Sequence, residues 1–323
     1  MLKKLKTFLL RFVVSVCSLA LAVYMVRGEI TQGFSHLTHL DMGPLAIALV
    51  LNFLSIGIVA LRLSVILAIQ RIHLPFWRNY YLWIISLFFN LFLPSAVGGD
   101  IVKAYYIYRD SGKKMASITS VLMDRFFGLM GTISLGFLAF LFAKEHIDDP
   151  RIGGLLFWLA GIVMVGVLLV LSRRFAKPAK ALILALSPKP LKDRVHKLFD
   201  ALELYRNRRG DFFLSYGYSL LAQGMFIVLI YFLARSISID LPVSLFFLLI
   251  PMVTLVSMVP SVGGLGVREA AIVYLFRHYI PTDQAVALSL MCDLFIYGIG
   301  CLCGILYAIR GGASIRELEE MEP

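Results

Sequence analysis

Charge is scarce in this chain. Aspartate, glutamate, lysine and arginine make up 16% of its 323 residues, while 59% are hydrophobic. Soluble domains carry roughly a quarter charged residues, so an ordinary water-soluble fold is excluded. Cysteine is scarce as well. Cys17, Cys292, Cys301 and Cys303 all lie inside apolar runs, where they read as small packing residues rather than disulfide partners or metal ligands. The histidines His36, His39, His73, His146, His196 and His278 fall at or near the ends of apolar runs and form no ligand set. Gly-x-Ser-x-Gly, His-Glu-x-x-His and Walker A motifs are all missing. No catalytic residue, metal or cofactor is therefore assigned. Without an ATP site, energy for any transport must come from a gradient or from the substrate's own distribution.

What the chain does have is long apolar sequence, with a mean hydropathy of +0.84. A helix needs roughly 20 apolar residues to span a bilayer. Full spans are expected at about 7–27, 43–69, 115–143, 152–172, 212–234 and 283–309. The runs are continuous rather than alternating, which excludes a β-barrel. The expected class is an all-α polytopic membrane protein. The first run follows Lys3, Lys4 and Lys6, and Ala20-Leu21-Ala22 resembles a cleavage site. The run continues through Val26, however, so an uncleaved span is expected.

Two further apolar segments, about 76–109 and 243–280, are interrupted by nearly the same phrase. The first contains Pro94-Ser95-Ala96-Val97-Gly98-Gly99-Asp100 and the second Pro260-Ser261-Val262-Gly263-Gly264-Leu265-Gly266-Val267-Arg268-Glu269. Proline and paired glycine interrupt helices, and lipid cannot satisfy the freed backbone groups. Such breaks belong where protein buries them or where they line a wet cavity.

The net charge of +11 is concentrated between spans. That pattern reads as a topology signal and an attraction to anionic headgroups, not as a nucleic-acid site. It places both termini in the cytoplasm of a cell whose inner (plasma) membrane holds the protein. The basic flanks of the first broken segment put both its ends inside, so it dips in and returns. The second dips from the outer face. Repeat one (about 43–143) and repeat two (about 212–309) then contain the same three elements in opposite orientation. This is an inverted-topology repeat, an arrangement that places a binding site between transporter halves. The basic linker 173–210 reads either as an amphipathic interfacial helix or as a solvated connector. The acidic tail 311–323 is expected to be disordered.

After each break a helix is expected to restart, at Asp100 and at Val267. Helix N-termini offer free N–H groups and a positive dipole end, which suit an anionic headgroup. Gly98, Gly99, Gly263 and Gly264 allow close approach, and Lys103 and Arg268 add positive charge. The plainer reading is that Asp100 and Glu269 complement the helix dipoles and the glycines let helices pack. Within full spans, ionisable residues mark sites or internal pairs. Arg125 is either a clamp for a lipid phosphate or, with Asp124, part of helix-tethering ion pairs. Adjacent positions diverge by about 100° on a helix, so Asp124 and Arg125 each need another partner. Arg62 either snorkels to the headgroups or meets substrate. Asp293 pairs with Arg268 or Arg125, or holds a proton; pairing is the expected role.

The two glycine motifs, together with Lys103-Ala104-Tyr105 and Asp124-Arg125, resemble the lysylphosphatidylglycerol synthase transmembrane family. This flippase-like domain occurs in the bacterial multiple peptide resistance factor and in many stand-alone proteins. The resemblance covers about residues 7–310. It implies a helical domain that moves lipids between leaflets, as related members are linked to aminoacylated phosphatidylglycerol, hopanoid or polyprenyl-sugar pathways. The full synthase has a soluble aminoacyl-transfer domain after its membrane part. The present sequence ends at Pro323, so a stand-alone member is expected and synthase activity is not carried over.

The leading expectation is thus a flippase-like protein moving an anionic phospholipid or a polyprenyl-linked headgroup. One alternative is an enzyme or enzyme subunit acting on lipid-linked sugars, with Asp100 or Glu269 as its carboxylate. The other is a scaffold that recruits a cytoplasmic lipid-modifying enzyme through 173–210. The sequence leaves the lipid, the coupling ion and the oligomeric state open.

Overall fold

The computed structural model describes residues 40–92, 98–142, 161, 164–168, 172–186, 192, 199, 203–258 and 266–309. Among these residues there is no strand. The helices run in the order α1 (Met42–Ile69), α2 (Phe76–Phe92), α3 (Gly98–Ser111), α4 (Lys114–Phe142), α5 (Arg173–Leu186), α6 (Arg209–Ser236), α7 (Val243–Val256), α8 (Val267–Phe276) and α9 (Thr282–Ile309). The expected span 7–27, most of 152–172, the turn 94–97, Gly263, Gly264 and the tail 311–323 lie outside the described residues.

Four helices, α1, α4, α6 and α9, are long and apolar enough to cross a membrane. Their continuous apolar sequence makes helix the natural choice, since each backbone group is then satisfied within its own segment. Their bounds fall within about three residues of the expected spans.

Both interrupted segments consist of two separate helices that fold back on each other. At the open end of the first, Arg78 near the start of α2 forms a two-pronged ion pair with Asp110 near the end of α3, at 2.7 and 3.1 Å. The Arg78 guanidinium also lies 5.5 Å from the Tyr106 ring. At the closed end, the Gly99 N–H donates to Asn90 Oδ1 at 2.8 Å. In the second segment α7 packs on α8, and Phe246 near the start of α7 meets Phe276 at the end of α8, 5.4 Å between rings. Start touching end means that the helix pair runs antiparallel.

The chain separates into two compact units. One comprises Met1–Ile56, Tyr81–Lys103 and Gly224–Pro323, and the other Gly57–Tyr80 and Ala104–Gln223. In the first unit, α9 approaches α2 through Gly300-x-x-x-Gly304, the small-residue spacing that lets helix backbones come close. A side chain at Gly304 would strike the Phe88 ring, and one at Gly300 would strike Leu91. The Phe88 ring also stacks on Tyr307. Gly304→Val is therefore expected to cost about 1–3 kcal/mol through overpacking, measured as a lower unfolding midpoint in detergent; an unchanged midpoint would show that this contact is loose.

In the second unit, α4 and α6 meet at Gly131, where an added Cβ would lie 3.1 Å from the Ser219 backbone. Below that contact Ile66, Ile69, Met123, Phe127, Met130, Tyr205 and Phe212 form a buried cluster. Tyr205, expected at the membrane interface as part of the basic linker, is instead fully buried in this core.

Candidate functional site

The candidate residues of the two restart helices, α3 and α8, all belong to the first unit. α3 begins at Gly98, two residues before the expected restart at Asp100, which lies in its first turn. Gly98, Gly99 and Asp100 are buried. Gly99 cannot be replaced without displacement, because a Cβ there would collide with the Ser86 carbonyl oxygen. The N–H of Gly99, expected to be open to a ligand, is taken by Asn90.

Lys103 is 1% exposed. Its Nζ lies 3.3 Å from Asp100 Oδ1, one turn back on the same helix, and 3.4 Å from the centroid of the Trp83 ring. A cation over an indole face is attracted by the ring quadrupole, more so when desolvated. The positive charge expected at this break is therefore balanced by Asp100 and supported by Trp83.

α8 starts after Gly266, whose φ of +83° lies in the left-handed region that favours glycine. No side chain caps this helix. The first turn presents Arg268 and the buried Glu269. Arg268 Nη2 donates to Asp293 Oδ1 on α9 and lies 3.5 Å from Glu269 Oε1. Neither carboxylate oxygen of Glu269 makes a hydrogen bond among the described residues. One guanidinium thus faces two carboxylates. Of the partners considered for Asp293, the structure shows Arg268.

The other charged group belongs to the second unit. Arg62 on α1 is 2% exposed and does not snorkel. Its Nε donates to Asp124 Oδ1 at 2.8 Å, and its Nη1 donates to the Ser219 hydroxyl at 2.9 Å. The Ser219 hydroxyl in turn donates to the Ser215 carbonyl at 3.0 Å. This is an ion pair within a chain of hydrogen bonds that fastens α1, α4 and α6. Asp124 thereby finds the outside partner it needed. Arg125, the next residue on α4, is half-buried and points about 100° away from Asp124.

Over these residues the comparison with known families decides the class. The lysylphosphatidylglycerol synthase TM region matches residues 8–304. The chain belongs to that family. Membership and the four apolar helices together make it a membrane protein of the lysylphosphatidylglycerol synthase or flippase type. No curated protein and no solved structure matches it.

Trp83, Asn90 and Ser219 were not singled out by sequence reasoning. A faint signal exists for two of them: Asn90 interrupts the apolar run Leu87-Phe88-Phe89-Asn90-Leu91-Phe92, and Ser219 sits within a membrane-length helix. Polar groups at such positions need partners, but their partners are distant in sequence.

Proposed function

We propose that this protein moves an anionic phospholipid, or a lipid-linked headgroup, between the leaflets of the inner (plasma) membrane. The headgroup enters the polar end of the first unit while the tails stay in lipid. Its phosphate is drawn by Arg268 and Lys103 and approaches the backbone at Gly98 and at the start of α8. The protein acts without changing the lipid covalently. Both termini lie in the cytoplasm, and each helical hairpin is re-entrant, one from each face.

One observation carries this reading: both restart helices hold cation–carboxylate groups, buried on α3 and half-buried on α8, within one compact unit of a membrane protein. Buried charge in a membrane is costly and marks substrate or ion paths. The element pattern also supports the repeat, since a long helix, a hairpin and a long helix occur twice. For transport, carboxylates beside each cation have a use. They hold the cation ready at the site, and they compete with the phosphate so that it can leave again, as conduction requires binding weak enough for release.

The test is translocation of a fluorescent phosphatidylglycerol in proteoliposomes. The protein is expected to speed its crossing at least about tenfold over protein-free vesicles, and more than that of zwitterionic phosphatidylcholine, because charge-assisted bonds to phosphate need uncompensated negative charge. Equal rates with and without protein would sink the transport reading. A chemically altered lipid formed by wild type and lost in Asp100→Asn would favour the enzyme reading instead.

A further inference from the structure

A second basic feature lies in the other unit. Ser172, Arg173, Arg206, Asn207 and Arg209 line a cleft of about 450 Å³. Its walls come from three places. Ser172 and Arg173 open α5, and the Ala176 N–H donates to the Ser172 carbonyl at 3.0 Å. Arg206 and Asn207 stand on a helical turn, 203–207. Arg209 is the first residue of the membrane-length helix α6.

The turn is held from beneath. Tyr205 is fully buried among Ile66, Ile69, Met123, Phe127, Met130 and Phe212. The Arg208 N–H donates to the Tyr205 carbonyl at 3.2 Å, and the Phe212 N–H to the Arg208 carbonyl at 3.1 Å. Arg206 and Asn207 are thus fixed by their neighbour's anchoring in the core. On the rim, Arg173 meets Glu203 at 3.0 Å and Arg208 lies 3.6 Å from Asp211, both pairs largely exposed. Exposed pairs of this kind are weak, so Arg173 can exchange its carboxylate for a stronger anion.

α5 states where the cleft lies. Arg173, Lys177 and Lys180 share one side at helical spacing. Phe175, Leu182 and Ile183 lie towards the other side, 50%, 62% and 42% exposed. A helix with an uncovered apolar face and a basic face lies flat in the interface of an anionic leaflet. Arg209, at the head of a membrane-length helix, places the cleft at the same depth. Basic pockets at this level suit phosphate headgroups, and arginine's planar fork matches phosphate oxygens.

We infer that this cleft binds the phosphate of an anionic phospholipid from the leaflet on which α5 lies. The inference does not rest on transport and would stand even if no lipid crossed the membrane.

The experiment uses the full chain in nanodiscs of phosphatidylcholine with added phosphatidylglycerol, and reads the phosphatidylglycerol retained on gentle extraction. Arg206→Gln with Arg209→Gln is expected to lower retention about tenfold or more, since both charge-assisted bonds to the phosphate are lost. Arg174→Gln with Lys177→Gln removes the same charge outside the cleft lining and should lower retention less than about twofold. Equal loss in both double variants would overturn the proposal in favour of general surface charge. Inorganic phosphate at millimolar concentration should leave retention unchanged; displacement would assign the cleft to a soluble anion and overturn the lipid assignment. Should the cleft double variant not fold, Arg209→Gln alone, at an exposed helix start, carries the same test with a smaller expected loss.

Discussion

Arg62→Ala will destabilise the protein by about 3–5 kcal/mol, because removing one partner of a buried ion pair takes away the compensation of the other's charge. Asp124, 2% exposed, would lose its bonds to Nε and Nη2, and the Ser219 hydroxyl oxygen would lose its donor Nη1. Asp124→Ala should cost a similar amount by leaving the guanidinium stranded. Arg62→Lys should fall between, since lysine offers no planar fork to reach both Asp124 and Ser219. The double variant Arg62→Met with Asp124→Leu should recover most of the loss, as apolar pairs of similar volume often replace buried ion pairs at little net cost. Unfolding midpoints in detergent for all four variants measure this. A double variant as unstable as the sum of the singles would show that the group acts through packing rather than charge compensation.

Arg268→Ala has the largest expected effect on transport. Truncating a buried charged partner costs about 2–5 kcal/mol at an interface, or some 30-fold to several-thousand-fold. Here the loss is compounded, because Glu269 and Asp293 would face each other and any incoming phosphate with no cation between them. Translocation of labelled phosphatidylglycerol should fall at least about a hundredfold, and Arg268→Lys should retain part of it. A structural role is separated by Arg268→Gln with Asp293→Asn, which removes one charge of each sign. That variant should regain part of the midpoint lost in Arg268→Ala, since Glu269 still lacks its cation, while remaining inactive. Recovery of transport together with stability would make Arg268 a structural residue and remove it from the path.

The long helices were legible because their signal is local. Twenty or more apolar residues specify α1, α4, α6 and α9 with no knowledge of neighbours. The two restarts, expected at Asp100 and Val267 and found at Gly98 and Val267, were legible for the same reason, since glycine and proline interrupt a helix wherever it lies. Pairing was not legible. Asp124 and Arg62 are 62 positions apart, and Ser219 lies a further 95 beyond Asp124; no spacing rule connects them. Arg62 read as a snorkelling residue because it lies near a span end, but the fold closes over it. Lys103 read as charge on offer, yet Asp100 and the face of Trp83 enclose it. The linker 173–210 read as a solvated connector or as an interfacial helix of amphipathic character. The structure keeps that character for α5 but buries Tyr205 in the core. Amphipathic spacing identifies an apolar stripe without saying whether lipid or protein will cover it.

The central claim is that a lipid phosphate reaches the two restart helices of the first unit. A phosphatidylglycerol carrying a photoreactive group on its headgroup tests it most directly, with the adducts mapped by mass spectrometry. Adducts at 98–103 and 266–269, competed by unlabelled phosphatidylglycerol and lost in Arg268→Ala, are the predicted result. Adducts confined to 173–209, with none at either restart, would contradict the account.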